Sequence, residues 1–161
     1  MIRRANLNDL SEIMPLFDNA RLFMRRMGNM DQWTNGYPSE HVIRSDIENG
    51  NFYVEDSDGS ITGAFAFILG DDPTYSVIEG MWLNALPYGT VHRIASDGRT
   101  KGFSDRCFDF CRNIVDNIRV DTHRDNATMQ KALLRNGFTY CGIIHLADGS
   151  PRVAFQRCDS E

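Results

Sequence analysis

The sequence lacks the features of several common protein classes. Its four cysteines form no Cys-x-x-Cys pair and have little histidine company, so free or buried thiols are favoured over a metal site or disulfides. The longest apolar run, residues 64–69, is far too short to span a membrane. Residues 1–10 lack the apolar core of a signal peptide. We therefore expect a cytoplasmic protein with no membrane contact and no metal.

Positive charge is also scarce. The chain carries 17 Lys and Arg against 22 Asp and Glu, a formal net charge of −5. This balance argues against nucleic acid and is compatible with a small cationic partner. The 161 residues and 42% hydrophobic content fit one globular domain, which we expect to span residues 1–161. We find no internal repeat or low-complexity segment.

Hydrophobic periodicity predicts alternating strands and helices. After a first strand around Arg3, helical residues begin at the capping pair Asn6 and Asp9, and Pro15 should kink or interrupt them. The later predictions, in chain order, are helical segments at 20–27 and after Ser39, a hairpin of 52–55 with 61–69, a possible strand at 75–83, a strand at 90–96, a helix from Phe103, a strand at 118–122, a helix from Asn126, and a hairpin of 138–146 with 152–157. This order predicts a mixed α/β sheet with helices on both faces.

Residues 90–109 combine a short apolar strand, a glycine-marked loop and the start of an amphipathic helix. Gly98 and Gly102 allow tight turns, so that free N–H groups and the positive end of a helix can meet at one spot. Such a spot suits a pyrophosphate. The glycines equally fit a role in turn geometry alone. Their spacing is neither that of a P-loop nor that of a dinucleotide motif. Three basic residues would add charge: Arg99, Lys101 and Arg106.

Two other segments hold candidate site residues. The loop of residues 29–38 is polar and turn-prone, so Trp33 and Tyr37 either cover a pocket or form an anchored surface cluster. Glu79 lies among apolar residues, where a carboxylate could act as a base near neutral pH. A solvated Glu on an edge strand fits the same pattern.

The loop and the segment 126–138 together resemble the GCN5-related N-acetyltransferase (GNAT) family. The family's acyl-CoA loop reads Arg or Gln, two residues, Gly, one residue, then Gly or Ala, and this chain has Arg99, Gly102 and Ser104 in that spacing. The family also commonly shows Asn, an apolar residue, Tyr, a basic residue, Gly and Phe. The corresponding residues here are Asn126, Met129, Leu133, Arg135, Gly137 and Phe138. The resemblance covers nearly the whole chain but places Leu133 where many members have a Tyr that protonates the departing thiolate.

The resemblance implies a mostly antiparallel sheet in which strand 90–96 splays away from strand 118–122. The cleft between them would take the pantetheine arm of acetyl-CoA, and Asn126 would approach that arm or the leaving sulfur, although a helix cap also explains this Asn. The residues implied to bind the cofactor, coenzyme A, are Ile94, Ala95, Ser96, Arg99, Thr100, Lys101, Gly102, Phe103, Ser104 and Asn126.

The implied activity is direct transfer of an acetyl group from acetyl-CoA to a primary amine. His92 is the first candidate for the general base, because relatives often carry a Glu at that position, and Glu79 is the second. Strand alternation predicts His92 on the opposite face from Val91 and Arg93.

Three functional hypotheses stay open. The first is an N-acetyltransferase with a small-molecule amine acceptor, and the second is a catalytically silent acyl-CoA-binding module, which Leu133 favours. The third is protein acetylation, against which the bulky Trp33 and Tyr37 loop argues. The sequence does not identify the acceptor, and a homodimer is compatible with it.

Overall fold

The computed structural model describes residues 1–99 and 101–159. Its strands are β1 (Ile2–Arg4), β2 (Phe52–Ser57), β3 (Ser60–Leu69), β4 (Glu79–Gly80), β5 (Gly89–Ser96), β6 (Asn117–Thr122), β7 (Thr139–His145) and β8 (Pro151–Cys158). Its helices are α1 (Leu10–Arg26), α2 (Glu40–Glu48), α3 (Phe103–Arg112) and α4 (Ala127–Arg135), and short 3-10 turns occupy Leu7–Asp9 and Pro73–Tyr75. The strands form one sheet of eight in the order β1-β2-β3-β5-β6-β8-β7-β4.

The sheet is antiparallel except at its centre, where β5 and β6 run parallel. These two strands pair only at Gly89 with Ile118 and at Thr90 with Arg119. Beyond Thr90 they separate, so the sheet has an open seam along its middle. The predicted mixed sheet with a splayed central pair is confirmed.

Helices cover both faces of the sheet, as predicted. Successive residues of β3 show the division: Phe65 and Phe67 pack in the cluster that holds the buried side of α3, whereas Ala64 and Ala66 pack in the cluster that holds α1 and α2. This alternation follows from the two-residue period of a strand. The four cysteines are free, three of them buried. No helix in the described ranges has the length and apolar composition needed to cross a membrane.

The first helix corrects a prediction. Pro15 lies inside α1, which runs from Leu10 to Arg26 as one helix instead of two stretches. The proline removes one backbone hydrogen bond, but Ile13, Leu16 and Phe17 around it are buried and hold the helix against the sheet. Tertiary packing therefore outweighs the local cost. The helix ends as predicted, with Gly28 at a φ of +86°.

The predicted strand at 75–83 is also wrong. Tyr75 ends a 3-10 turn, and only Glu79–Gly80 is extended and paired, at the outer edge beside β7. The indole Nε1 of Trp82 donates to the carbonyl of Tyr75 at 3.0 Å, and the two rings lie 5.0 Å apart. This contact folds the segment back on itself. An extended strand would hold the two residues apart.

A β-bulge in β5 breaks the expected alternation. The pairing of β3 with β5 shifts between Ala64 and Ala66, and Arg93 has a φ of +53°. Val91 packs in the α3 cluster, whereas the Arg93 side chain reaches Asp46 of α2 on the other face. Val91 and Arg93 therefore do not share a face.

Candidate active site

Two cavities open on the seam between β5 and β6. The small cavity, about 550 Å³, lies toward the loop that precedes α3. The large cavity, about 760 Å³, lies toward the loop of residues 29–38. Four residues line both: Met24, Ile94, Asn126 and Met129. The cavities therefore meet at the seam, and a molecule in one can contact a molecule in the other.

Most residues predicted to bind the cofactor line the small cavity. They are Ile94, Ala95, Ser96, Gly102, Phe103, Ser104 and Asn126. Apolar side chains of α1, among them Phe23 and Met27, form another wall. Arg99 and Lys101 are not among the lining residues, and Thr100 lies outside the described residues.

Helix α3 begins at the small cavity with Gly102 as its N-cap. Gly102 has a φ of +82°, in the left-handed region, and it has no side chain with which to cap the helix. The N–H groups of the first turn are thus left to other partners, and they carry the positive end of the helix dipole. Backbone donors of this kind bind phosphate groups.

The loop cations contribute less than the sequence suggested. Nε and Nη2 of Arg106 donate to the Glu55 carboxylate at 2.6 and 2.9 Å. The hydrogen bond from Arg106 lowers the pKa of Glu55, which is 5% exposed, against the opposing effect of burial. Arg99 is held within its own loop, where Nε donates to Asp97 at 2.8 Å. The formal charge near the α3 N-terminus is therefore partly compensated.

Three side-chain amides, which we call the amide ladder, connect the two cavities. Oε1 of Gln32 accepts from Nδ2 of Asn29 at 2.7 Å and from Nδ2 of Asn126 at 3.1 Å. Asn126 also caps α4, since its Oδ1 accepts from the Met129 N–H at 3.0 Å, so the capping interpretation of this residue is correct. Arg25 fixes the same loop by donating to the carbonyls of Asn29, Gln32 and Trp33.

One end of the amide ladder is incomplete. Asn29 is 2% exposed and lines the small cavity, yet its Oδ1 has no hydrogen-bond partner among the described residues. A buried acceptor without a partner costs about 1–3 kcal/mol. A ligand N–H in the small cavity would remove that cost.

His92 and Asp72 form a hydrogen-bonded pair in the large cavity. His92 Nε2 lies 2.9 Å from Asp72 Oδ2, while Asp72 Oδ1 accepts from the N–H and hydroxyl of Thr74. Burial alone would raise the pKa of Asp72, but the hydrogen bonds from His92 and Thr74 outweigh it and lower the pKa to about 2. Asp72 is therefore ionised near neutral pH and accepts from an Nε2–H, which leaves Nδ1 of His92 as the proton acceptor.

A second carboxylate of the large cavity is held by a tyrosine. The hydroxyl of Tyr75 donates to Asp121 Oδ1 at 2.6 Å. Burial and the nearby Asp121 charge raise the pKa of Tyr75 well above its ordinary value. Tyr75 thus keeps its proton and acts as a fixed donor to an ionised carboxylate.

Trp33 and Tyr37 both line the large cavity. The Trp33 ring also packs edge-on against Phe17 at 5.5 Å, so it is anchored as well as exposed to the cavity. The Tyr37 hydroxyl accepts from Nη1 of Arg93 at 2.8 Å, and Arg93 makes a two-pronged ion pair with Asp46 at 2.8 and 3.0 Å. The bulge in β5 therefore ties the aromatic loop to α2.

Glu79 lies outside both cavities. Its side chain is 70% exposed on the edge strand β4 and lies 3.7 Å from His145 Nε2. This is the solvated position that the sequence left as the alternative, so Glu79 has no place in the proposal below.

Sequence reasoning missed several polar residues of the site: Gln32, Asp72, Tyr75, Arg93 and Asp121. Asp72 stands before Pro-Thr, a pattern typical of the N-cap of a short helical turn, as found here. For the other four we find no local sequence signal.

A group of side chains at the rim of the large cavity has the chemistry of a cation site. One ligand atom from each of Asp31, His123 and Asp125 lies within 4.8 Å of the others. Nδ1 of His123 already accepts from the Asp125 N–H at 3.0 Å, so in the neutral imidazole its lone pair is engaged and Nε2 carries the proton. Asp31 and Asp125 are exposed, so nothing beyond proximity indicates a bound ion.

Comparison with solved structures identifies this architecture. An acetyltransferase of the GNAT family from Streptococcus agalactiae 2603 is 35% identical, with a TM-score of 0.87 and coverage of 100% of this chain and 96% of that one. A GNAT-family acetyltransferase from Listeria monocytogenes 4b F2365 is 21% identical (TM-score 0.72, coverage 98% and 93%). The ribosomal-protein-alanine N-acetyltransferase of Brucella melitensis is 14% identical (TM-score 0.65, coverage 98% and 99%). The last two show the fold alone.

The fold and the two-cavity seam are those of an acyl-transferring enzyme. At 35% identity over its full length to a GNAT acetyltransferase, the chain belongs to the GCN5-related N-acetyltransferase family and is an acyltransferase. No family model matches the chain, and no curated protein matches it significantly.

Proposed function

We propose that this protein transfers an acetyl group from acetyl-CoA directly to a primary amine of a small molecule, with His92 as the general base. The meeting of the two cavities at Ile94 and Asn126 carries this proposal. The small cavity begins at an uncapped helix N-terminus, and the large cavity holds a His–Asp pair.

The residues of the small cavity fit coenzyme A. The first-turn N–H groups of α3 would bind the pyrophosphate, and β5 beyond Thr90 offers unpaired backbone groups for the amides of the pantetheine arm. The orphaned Oδ1 of Asn29 would accept one amide N–H. When bound, acetyl-CoA supplies a thioester carbonyl that an amine can attack and a thiolate that can leave.

His92 accepts a proton from the acceptor amine in this proposal, because only a neutral nitrogen is nucleophilic. Asp72 holds the imidazole through Nε2, so that Nδ1 receives the proton and the carboxylate stabilises the imidazolium. Leu133 is fully buried in the core, where it packs as an apolar side chain. It can provide no proton to the leaving group, and a thiol of pKa about 8.5 needs little help near neutral pH.

Calorimetry with coenzyme A tests the binding half of the proposal. We expect wild-type protein to bind and Gly102→Asp to bind about a hundredfold more weakly or not at all, because a carboxylate would then stand beside the phosphates. Gly59→Asp is the matched control, since Gly59 also has a positive φ, of +89°, but lies in the β2–β3 turn. Equal binding by wild type and Gly102→Asp would overturn the phosphate assignment.

Thiol release from acetyl-CoA, followed across a panel of primary amines, tests the catalytic half. Amine-dependent release with formation of the acetylated amine supports the proposal. Tight binding of coenzyme A, with no thiol release from acetyl-CoA in the presence of any amine, would favour the silent acyl-CoA-binding module instead.

A further inference from the structure

The carboxylate of Asp121 has no cationic partner in the described part of the chain. Asp121 lines the large cavity, and its Oδ1 accepts a hydrogen bond from the Tyr75 hydroxyl at 2.6 Å. Arg119, two residues earlier on β6, places its guanidinium over the Trp82 and Tyr88 rings at 4.1 and 4.0 Å. Arg93, the nearest basic residue of β5, is paired with Asp46. The Asp121 carboxylate therefore faces the cavity without an ion-pair partner among the described residues.

Thr122, the neighbour of Asp121 on β6, also lines the large cavity, and its Oγ1 has no hydrogen-bond partner among the described residues. Successive residues of a strand point to opposite faces, so this hydroxyl cannot join Asp121 in holding one ammonium ion. Asp121 itself supplies the charged acceptor that suits an ammonium group.

Asp121 is poorly suited to hold the amine that reacts. That nitrogen must lose a proton, and a carboxylate beside it would favour the charged ammonium form. His92 and Asp72 form the proton-accepting pair, and Tyr75 is near both sites, with its ring centroid 6.4 Å from that of His92 and its hydroxyl donating to Asp121. Asp121 is therefore placed for a positive charge that the acceptor keeps throughout the reaction.

We propose that Asp121 determines acceptor specificity by binding a second, protonated amino group, and that the acceptor is an aliphatic diamine or polyamine. This inference rests on the proposed function, since it names the substrate class of the same site. One amino group lies at His92 and loses its proton there, while the other stays charged at Asp121.

The rim of the large cavity suggests a rival hypothesis about the acceptor. Arg124 and Arg152 also line it, and burial together with the charge of Arg152 lowers the pKa of His123 beside them. If these two arginines determined specificity, the second group of the acceptor would be an anion. The experiment therefore varies only the charge of that second group.

Three probes of equal chain length carry the test: 1,4-diaminobutane, 4-aminobutan-1-ol and 4-aminobutanoate. With wild-type protein and acetyl-CoA we expect the KM of the diamine to be lower than that of the alcohol by about tenfold or more, with the anion poorest. Asp121→Asn should remove the preference for the diamine over the alcohol. Its amide oxygen can still accept from Tyr75, and a native melting temperature would confirm the fold.

Asp58→Asn is the matched control, because Asp58 is an exposed carboxylate of the β2–β3 turn that lines neither cavity. It should keep the wild-type preference. A wild-type preference for the alcohol or the anion would overturn the inference, as would an unchanged preference in Asp121→Asn.

Calorimetry separates this inference from the proposed function. Titrating 1,4-diaminobutane into protein saturated with coenzyme A measures acceptor binding without turnover. Binding that Asp121→Asn weakens about tenfold supports the inference even if thiol release fails, and absence of diamine binding refutes it even if other amines are acetylated.

Discussion

The two cavities share four lining residues, yet they are built in different ways. At the small cavity, the polar groups near the loop are largely backbone groups, at the first turn of α3 and along β5, and its α1 wall is apolar. The large cavity is lined by side chains from distant segments, each held by another side chain: Asp72 by Thr74, Asp121 by Tyr75, and Arg93 by Asp46. Backbone groups are present whatever the residue type, so recognition in the small cavity tolerates substitution. The polar groups of the large cavity change whenever one of its lining side chains is replaced. We infer that the acceptor can diverge within this fold while the cofactor stays the same.

The sharpest test of this comparison is His92→Ala. We expect kcat to fall by about a hundredfold to ten-thousandfold, because the acceptor amine loses its proton acceptor. Coenzyme A affinity should not change, because His92 lines only the large cavity. Steady-state kinetics and calorimetry on the same preparation measure both quantities.

Asp72→Asn serves as the companion variant, since it keeps the shape of the partner but removes its charge. It should lower kcat less than His92→Ala, because the imidazole stays in place and only the charge that stabilises the imidazolium is lost. Native turnover in both variants would exclude His92 as the base.

Gln32→Met tests whether the amide ladder connects the two cavities. The change removes the acceptor shared by Asn29 and Asn126 and leaves their N–H groups without it, at a cost of about 1–3 kcal/mol. For a chain of this size that lowers Tm by about 2–4 °C per kcal/mol. Since the amide ladder touches both cavities, KM should rise for acetyl-CoA and for the amine together.

Gln130→Met is the control for that variant. Gln130 donates to the exposed carbonyl of Arg124 on the surface of α4, so its loss should change stability by no more than about 0.5 kcal/mol. If Gln32→Met altered only one KM, the amide ladder would not connect the two sites.

The smallest effect is expected for Tyr140→Phe. Tyr140 is 53% exposed, packs against Phe155 at 5.8 Å and lines neither cavity. Removing its hydroxyl should leave kcat and Tm near the wild-type values in the same assays. A hundredfold fall in kcat with unchanged folding would show that β7 provides the acid missing at Leu133.

The sequence predicted those parts of the protein that depend on local signals. Gly102 marks a turn, and Asn126 is followed by a periodic apolar face, so the loop and both following helices could be expected. The splay of β5 from β6 was implied by the family resemblance, not by a local signal. The pairing of Tyr75 with Asp121 joins residues 46 positions apart in an aperiodic segment, and no spacing rule predicts such a contact. The bulge at Arg93, which has a positive φ, turns its side chain to the other face of the strand. Residue type alone does not reveal this change.

The open seam also has a consequence for exchange with solvent deuterium. Along β5 beyond Thr90, backbone groups that face β6 lack the strand partner that protects amides elsewhere in the sheet. In the free protein these amides should exchange with deuterium at rates typical of local opening, while the amides that face β3 stay protected. Occupation of the seam by coenzyme A would slow them selectively, so a deuterium-exchange difference confined to residues 91–96 and the start of α3 would trace the ligand's path along the backbone.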